Sequence, residues 1–388
     1  MSVRVKLGEL CHVVTKGTTP TSIGLSFEEV GIPFLRITNI GNSTVALDNV
    51  LYISHETHKV LNRSIVKPKD FLITIAGTIG KVAIVPDNFP ESNCNQAVAI
   101  LRFDYEKLLS NYLLYWLSTP DAIGQITGKK VTATIANLSL GQIKELEIPL
   151  PPLTEQKRIA AILDKADSLR RKNQQAIQLA DQFLRTVFLD MFGDSVINSK
   201  GWDVKPLGDV APAKPIRNMK VQNDDDVWLL NLDQVESNTG KILNKNICKF
   251  SEVGSSTSWF DNSHVLYSKL RPYLNKVVLS NEIGMATSEL LPLKPDTNFL
   301  IREYLVSYLR SDSFVCWANG KVAGAKMPRL STSELWMHSL PIPPIELQTK
   351  FAKIYRRIAQ MNLNQQRTLA KSHDLFNSLS QKAFAGEL

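Results

Sequence analysis

The chain has 388 residues, with 45 Lys+Arg against 37 Asp+Glu and a formal net charge of +8. At roughly 100 to 200 residues per domain this exceeds one ordinary domain, and a content of 44% hydrophobic and 21% charged residues excludes wholesale disorder. The basic excess suggests a polyanionic partner, but it is modest and interspersed with acids: residues 1–195 hold 21 basic and 19 acidic side chains, residues 196–388 hold 24 and 18.

In chain order, Met1–Leu10 holds Arg4, Lys6 and Glu9 and no apolar run, so a secretory signal is not expected. The most apolar stretch, Phe71–Val85, is broken by Gly77, Gly80 and Lys81 and is too short to span a bilayer. A soluble, cytoplasmic protein without a membrane partner is the expectation. Cys11, Cys94, Cys248 and Cys316 form no CxxC pair, so neither a zinc ribbon nor a disulfide framework is encoded.

Short β-like runs are expected at Phe34–Ile40, Phe71–Ile75, Lys81–Val85 and Ala97–Phe103, separated by Gly, Pro and Asn, with Tyr112–Leu117 as a helix. Then comes Ile135–Leu153, IANLSLGQIKELEIPLPPL, whose Pro-x-Pro-Pro end makes a clean boundary before the helical periodicity of Thr154–Phe192. The plan then repeats. Strand-like runs recur at Val227–Leu232, His264–Ser268 and Lys276–Leu279, a helix at Tyr304–Leu309, a second Leu-Ser … Pro-x-Pro-Pro segment at Met327–Ile345, and a second long helical segment at Glu346–Phe384. Pro149 matches Pro341 at an offset of 192, which also aligns Asn111-Tyr112-Leu113 with Glu303-Tyr304-Leu305; Leu7-Gly8-Glu9 aligns with Leu207-Gly208-Asp209 at 200. Drifting offsets indicate loops of different length on one scaffold.

On a heptad frame the first long segment places Ile159, Ala166, Asn173, Ala180 and Val187 at one seam and Ile162, Leu169, Ala176, Phe183 and Asp190 at the other. The second segment is weaker on that frame, and Tyr355, Leu369 and Phe376 widen it into an ordinary amphipathic face. At 1.5 Å per residue each helix would reach about 55–60 Å, and neither can bury its stripe without a partner. Antiparallel pairing within the chain brings Asn173 and Gln365 to the midpoints, where they are expected to fix the register as a polar layer or to face solvent on a locally unwound seam.

Enzymatic motifs fail on spacing. Gly77-Thr78-Ile79-Gly80-Lys81 lacks the first glycine and the Ser/Thr of a P-loop, leaving a hairpin turn. His55-Glu56-Thr57-His58 is not HExxH and has no third ligand nearby. Pro151-Pro152 lacks the flanking residues of an amine-methylation motif, Asp203-Val204-Lys205 is a weak nuclease match, and Asp224-Asp225-Asp226 reads as a solvated loop.

The duplicated Leu-Ser … Pro-x-Pro-Pro endings, the helix opening Leu153-Thr154-Glu155-Gln156-Lys157-Arg158-Ile159, the junction Met191-Phe192-Gly193-Asp194 … Lys200-Gly201-Trp202, and Val265-Leu266-Tyr267-Ser268-Lys269-Leu270-Arg271-Pro272-Tyr273-Leu274 are specific as a set. On these residues the whole chain resembles the specificity subunits of type I restriction-modification systems, although Glu346-Leu347-Gln348 replaces the usual Glu-Gln order after the second Pro-Pro. The resemblance implies an α+β fold: two similar target-recognition domains, an internal duplication, separated by a pair of long antiparallel α-helices forming a coiled-coil spacer. The expected boundaries are 1–153 and 196–345 for the domains, and 154–195 and 346–388 for the helices. It further implies a non-catalytic subunit that reads a bipartite asymmetric site in double-stranded DNA. Its partners would be two methyltransferase subunits and restriction/translocation subunits. The chain itself would hold no cofactor, S-adenosylmethionine being bound by the methyltransferase.

Candidate DNA contacts follow from placement. Lys129 and Lys130 after Gly128, and Lys321, Lys326 and Arg329 after Gly320, occupy equivalent loops; solvated charged loops are the competing reading. Lys269 and Arg271 occupy the strand connection that is Ala76–Gly80 in the first unit, and an Arg there suits a guanine edge. Arg36 and Asn39, like Asn231 and Gln234, carry base-reading donors and acceptors, against which turn chemistry competes. Two other classes remain open: a fused methyltransferase or nuclease, and a coiled-coil scaffold without DNA recognition.

Overall fold

A computed structural model of the chain describes residues 3–41, 43–128, 137–194, 196–324 and 326–388. The chain divides into two compact units, Met1–Asn173 with Thr368–Leu388, and Gln174–Arg367. The division falls inside both long helices, Leu153–Phe192 and Ile345–Ala385, so each unit combines a globular part with the opening turns of one helix and the closing turns of the other. Among the described residues no helix is long and apolar enough to cross a membrane.

The first unit carries two four-stranded sheets. One orders Leu51–Ile53, Ile32–Leu35, Ser92–Cys94 and Ile65–Val66; the other orders Cys11–Lys16, Val98–Phe103, Phe71–Thr74 and Val82–Ile84. The run expected to be extended from Phe34 to Ile40 stops at Leu35, because Asn39 bends Ile37–Asn39 into a 3-10 turn by accepting from the Arg36 backbone N–H at 3.0 Å. A ribbon pairs Arg4–Lys6 with Glu147–Pro149, Val5 opposite Ile148.

The second unit repeats this plan. Asp226–Leu230 and Gly284–Thr287 pair in parallel, Leu230 opposite Ala286, as Leu35 pairs with Cys94. The ribbon recurs as Val204–Pro206 against Ser339–Pro341. The second sheet has three strands, Val277–Leu279, Val265–Ser268 and Leu290–Leu293, rather than four. The missing edge has a chemical cause. Where the first unit has Cys11–Lys16, the second has Ala211-Pro212-Ala213-Lys214-Pro215, and two prolines without N–H groups leave an isolated bridge from Ala213 to Leu293.

Each globular part is bolted to its following helix by the same side chains. Gln156 Nε2 donates to Lys107 O (2.8 Å) and Pro151 O (3.0 Å), and its Oε1 accepts from Leu109 N–H (3.0 Å). Gln348 repeats this with Phe299 O (2.8 Å), Pro343 O (2.8 Å) and Ile301 N–H (2.9 Å). The altered order Glu346-Leu347-Gln348 therefore moves the glutamate and leaves the glutamine in place. Tyr112 Oη donates to Pro149 O (2.7 Å), and Tyr304 Oη to Pro341 O (2.9 Å). Both helix pairings are antiparallel: Ile159, Leu163 and Ala166 share a core with Phe376 and Ala383, and Phe188 and Phe192 with Phe351 and Tyr355.

The buried stripe departs from the heptad reading. Ile159 and Ala166 are buried, but Leu169 and Phe183 of the second seam are exposed, and Leu163 and Phe188 point inward instead. A straight helix drifts against a strict seven-residue repeat, and each globular part captures whichever side chains face it. The junction is fixed locally. Gly193 adopts φ +77°, which a side chain would strain, and its N–H closes the helix onto Leu189 O at 2.8 Å. Trp202 Nε1 donates to Phe192 O at 3.0 Å.

Candidate nucleic-acid interface

Three loops meet in the second unit, and the described residues of the first unit hold the equivalent strand connection and 3-10 turn. In the second, Val265–Ser268 and Val277–Leu279 are joined by a connection whose turn Pro272–Leu274 lies between Arg271 and Asn275. Both flanking residues are left-handed, at φ +50° and +48°, where the first unit has Gly77 and Gly80 at +71° and +85°. A non-glycine residue pays about 1–2 kcal/mol for that conformation. The backbone restrains it: Arg271 N–H donates to Pro328 O (2.7 Å) and Arg271 O accepts from Leu274 N–H (2.9 Å).

That first contact joins the second loop. Val322–Ala323 and Arg329–Leu330 form a hairpin, Arg329 bridges to Leu270, and Leu330 N–H donates to Lys269 O at 2.9 Å. Lys269, Arg271, Lys321, Lys326 and Arg329, dispersed over 60 positions of sequence, are thereby gathered into one basic cluster. Lys321 faces Glu334 (3.4 Å) and Arg329 faces Glu289 (2.6 Å), whereas Lys269, Arg271 and Lys326 make no ion pair with any described residue. Arg271 and Lys326 are exposed, and Tyr273 beside them offers an exposed ring.

The third loop is the 3-10 turn Leu232–Gln234, held to the strand connection by Lys276 Nζ donating to Leu232 O at 2.7 Å. Gln234 is buried and accepts from Asn231 N–H at 3.0 Å. Asn39 does the same in the first unit, at 2% exposure, and its amide also donates to Ala46 O (3.1 Å) and Asp48 O (3.0 Å). Asn39 is thus buried, with its donors and acceptor engaged by its own loop, whose shape it sets. Arg36 is half-buried and donates from Nη2 to Asn49 O at 2.8 Å.

The first unit has the same anchor for its second loop, since Leu138 N–H donates to Ile75 O at 2.8 Å and Ala76 bridges to Asn137. Lys129 and Lys130 lie outside the described residues. The Gly77–Lys81 segment connects two antiparallel strands, with Thr74 Oγ1 accepting from Lys81 N–H at 3.0 Å, so it is a hairpin turn. His55–Val60 is a short helix whose His58 is buried beside Asn93, and no group of three potential metal ligands occurs among the described residues. Asn173 and Gln365 are each half-buried and belong to different compact units; Asn173 Nδ2 is enclosed without a hydrogen-bond partner among the described residues.

Glu289 and Glu334, which restrain two of the basic residues, were not legible as site residues. Glu289 stands in a turn without a motif, 40 positions from Arg329. Another polar pair, Asn362 Nδ2 donating to Asp181 Oδ1 at 2.9 Å, joins the long helices within the second unit away from the expected midpoint, and burial raises the Asp181 carboxyl above its ordinary range.

Residues 2–179 match the family model of the type I restriction modification DNA specificity domain. The specificity subunit of the type I restriction enzyme EcoDI from Escherichia coli is 26% identical over 323 residues, 72% of this chain and 71% of that protein. The MjaIX specificity subunit of Methanocaldococcus jannaschii is 22% identical over 97% of this chain and 91% of its own length. In fold, the type I S subunit from M. genitalium superposes with a TM-score of 0.54 at 15% identity, covering 99% of this chain and 96% of that one. A chain from a type I R-M system studied for complex assembly and conformational transition gives 0.53 at 18%, covering 100% and 98%. The fold is α+β, with a duplicated plan and long antiparallel helices in each unit. The family match covers residues 2–179, a little under half of the chain, and these relatives are specificity subunits of type I restriction enzymes, to which the chain is similar.

Proposed function

We propose that each unit reads one half of a bipartite, asymmetric duplex DNA target through its loops, and that the long helices set the separation of the half-sites. In this reading the recognition domains are residues 1–153 and 196–345, and the spacer helices are 154–195 and 346–388. The observation that carries it is the cluster in the second unit, where Lys269, Arg271 and Lys326 converge without acidic partners on a restrained backbone. Cations so placed attract phosphate, while the exposed Arg271 supplies base-edge donors. Lys129, Lys130 and Arg36, which the repeat aligns with this part of the sequence, would serve the first unit.

The exposed Leu169, Leu179 and Phe183 of one helix, and Met361 and Leu375 of the other, are apolar surface suited to two docked methyltransferase subunits. Those subunits would bring S-adenosylmethionine and act on an adenine flipped from the stack; restriction/translocation subunits would join the same cytoplasmic core. Asn173 and Gln365 would fix the helix register. Methylome sequencing of a host carrying this subunit with its methyltransferase tests the reading: a motif of two fixed parts with a constant gap is expected, and an ungapped motif refutes it. An Asn173→Leu, Gln365→Leu double variant should change the gap preference, and an unchanged gap disposes of the register role.

A further inference from the structure

Two arginine–carboxylate pairs of this molecule contrast in their geometry. In the first unit Arg102 grips Asp70 with two prongs, Nε to Oδ1 and Nη2 to Oδ2, both 2.6 Å, and Nη2 also donates to Ile65 O at 2.8 Å. Asp70 is buried, and Lys67 N–H donates to it as well. That guanidinium is spent on the fold. In the second unit Arg329 touches Glu289 with one prong only, Nη2 to Oε1 at 2.6 Å, and its side chain is 52% exposed. Its other N–H groups meet no acceptor among the described residues, out of the five that a guanidinium carries.

We propose that Glu289 is a positioning residue that holds Arg329 as a rigid fork for a guanine edge in the half-site read by the second unit. This deepens the interface reading above and rests on it. Three observations support it. An exposed one-pronged pair contributes little to stability, so its geometry has another use. Glu289 Oε2 is buried without a hydrogen-bond partner, an arrangement poorly suited to stability alone and of the kind retained where a carboxylate is needed for another reason. Both residues sit on anchored backbone: Arg329 pairs with Ala323 and bridges to Leu270, while Glu289 O accepts from Lys269 N–H at 3.2 Å. A guanidinium tethered at one nitrogen keeps two parallel donors, and among base edges in the major groove guanine presents two acceptors, O6 and N7, to match them. Adenine places a donor against the fork, and thymine offers a single acceptor beside a methyl group.

The test uses the full chain with its methyltransferase in a host lacking other adenine methylation, with methylated sites mapped genome-wide for the wild type, Arg329→Lys, Arg329→Ala, Glu289→Gln and Lys326→Ala. Arg329→Lys and Glu289→Gln should relax the same single guanine position, lowering its preference about tenfold or more, and leave the other half-site unchanged. Thermal melting of Glu289→Gln should match the wild type, which separates lost positioning from lost folding. The proposal is overturned if Arg329→Ala lowers methylation evenly across sequences, the behaviour of a phosphate contact, or if Glu289→Gln keeps full guanine preference. A silent Arg329→Ala beside an even loss in Lys326→Ala sinks this assignment and leaves the interface reading standing. If neither variant changes site occupancy or motif, both fail.

Discussion

The first unit closes its turn at residues 67–70 with a buried Asp70–Arg102 pair, whereas the second has His264 at the position of Asp70, with Asp261 accepting from Ser263 N–H and lying 2.8 Å from the imidazole. The same exchange recurs where each globular part meets its helix. Asn111 donates to Asp164 at 3.2 Å in the first unit, and at the equivalent offset Glu303 accepts from Arg356 at 2.7 Å in the second. Leu146 in the first unit is His338 in the second, where Tyr308 Oη lies 2.6 Å from Nε2, yet both residues accept at their carbonyls from Leu7 and Leu207 N–H groups. Backbone contacts and the Gln156/Gln348 clamps are shared; the side-chain electrostatics around them are not. The duplication thus preserved what positions the loops and let charges diverge around them, as the proposed reading of two different half-sites requires.

Removing Asp70 should break this comparison most severely. Asp70→Ala leaves the Arg102 guanidinium largely enclosed without its partner, and the first unit should lose about 3–5 kcal/mol, read as a lowered thermal or urea midpoint. A loss below about 0.5 kcal/mol would mean the pair is a surface contact like those elsewhere in the chain.

Acid should separate the two units next. Burial pushes the His338 imidazole down to about 4. Above its ordinary value near 6.5 both states are neutral and the native state keeps its full stability. As pH falls from about 6.5 to about 4 the unfolded chain takes up a proton that the folded chain refuses, so stability falls by up to about 3 kcal/mol. His338→Leu, which copies Leu146, should flatten that part of the stability–pH curve; an unchanged slope would place the acid sensitivity elsewhere.

The smallest effect belongs to the free lysine. Lys326→Ala should weaken duplex binding evenly over all sequences and reduce the slope of log K against log salt by about one. A change in sequence preference instead would move Lys326 from phosphate to base contact.

Much of the fold was legible because its signals are local. Prolines stop and start the chain, the apolar spacing of residues 154–192 and 346–384 demands helices, and the repeated Leu-Ser … Pro-x-Pro-Pro segments expose the duplication. The basic residues of the second unit were also visible as candidates, since loop position and residue type are local properties. The burial of Asn39 was not legible, because donor–acceptor type does not report burial; three hydrogen bonds tie it into its own loop. The buried stripe was half right, because a heptad frame cannot tell which side of a helix a globular part covers: Phe183 is exposed while Phe188 packs on Tyr304.

By itself the sequence determined the class, the duplicated plan and the two long helices, since proline, glycine and apolar periodicity act within a few residues of themselves. Only the tertiary structure decided which cations remain unpaired. Lys269, Arg271, Lys326 and Arg329 come together through backbone hydrogen bonds between strand 265–268 and hairpin 322–330, and Glu289 selects one of them. Pairing of charges depends on distances of a few ångströms between residues tens of positions apart, and spacing along a chain does not encode those distances.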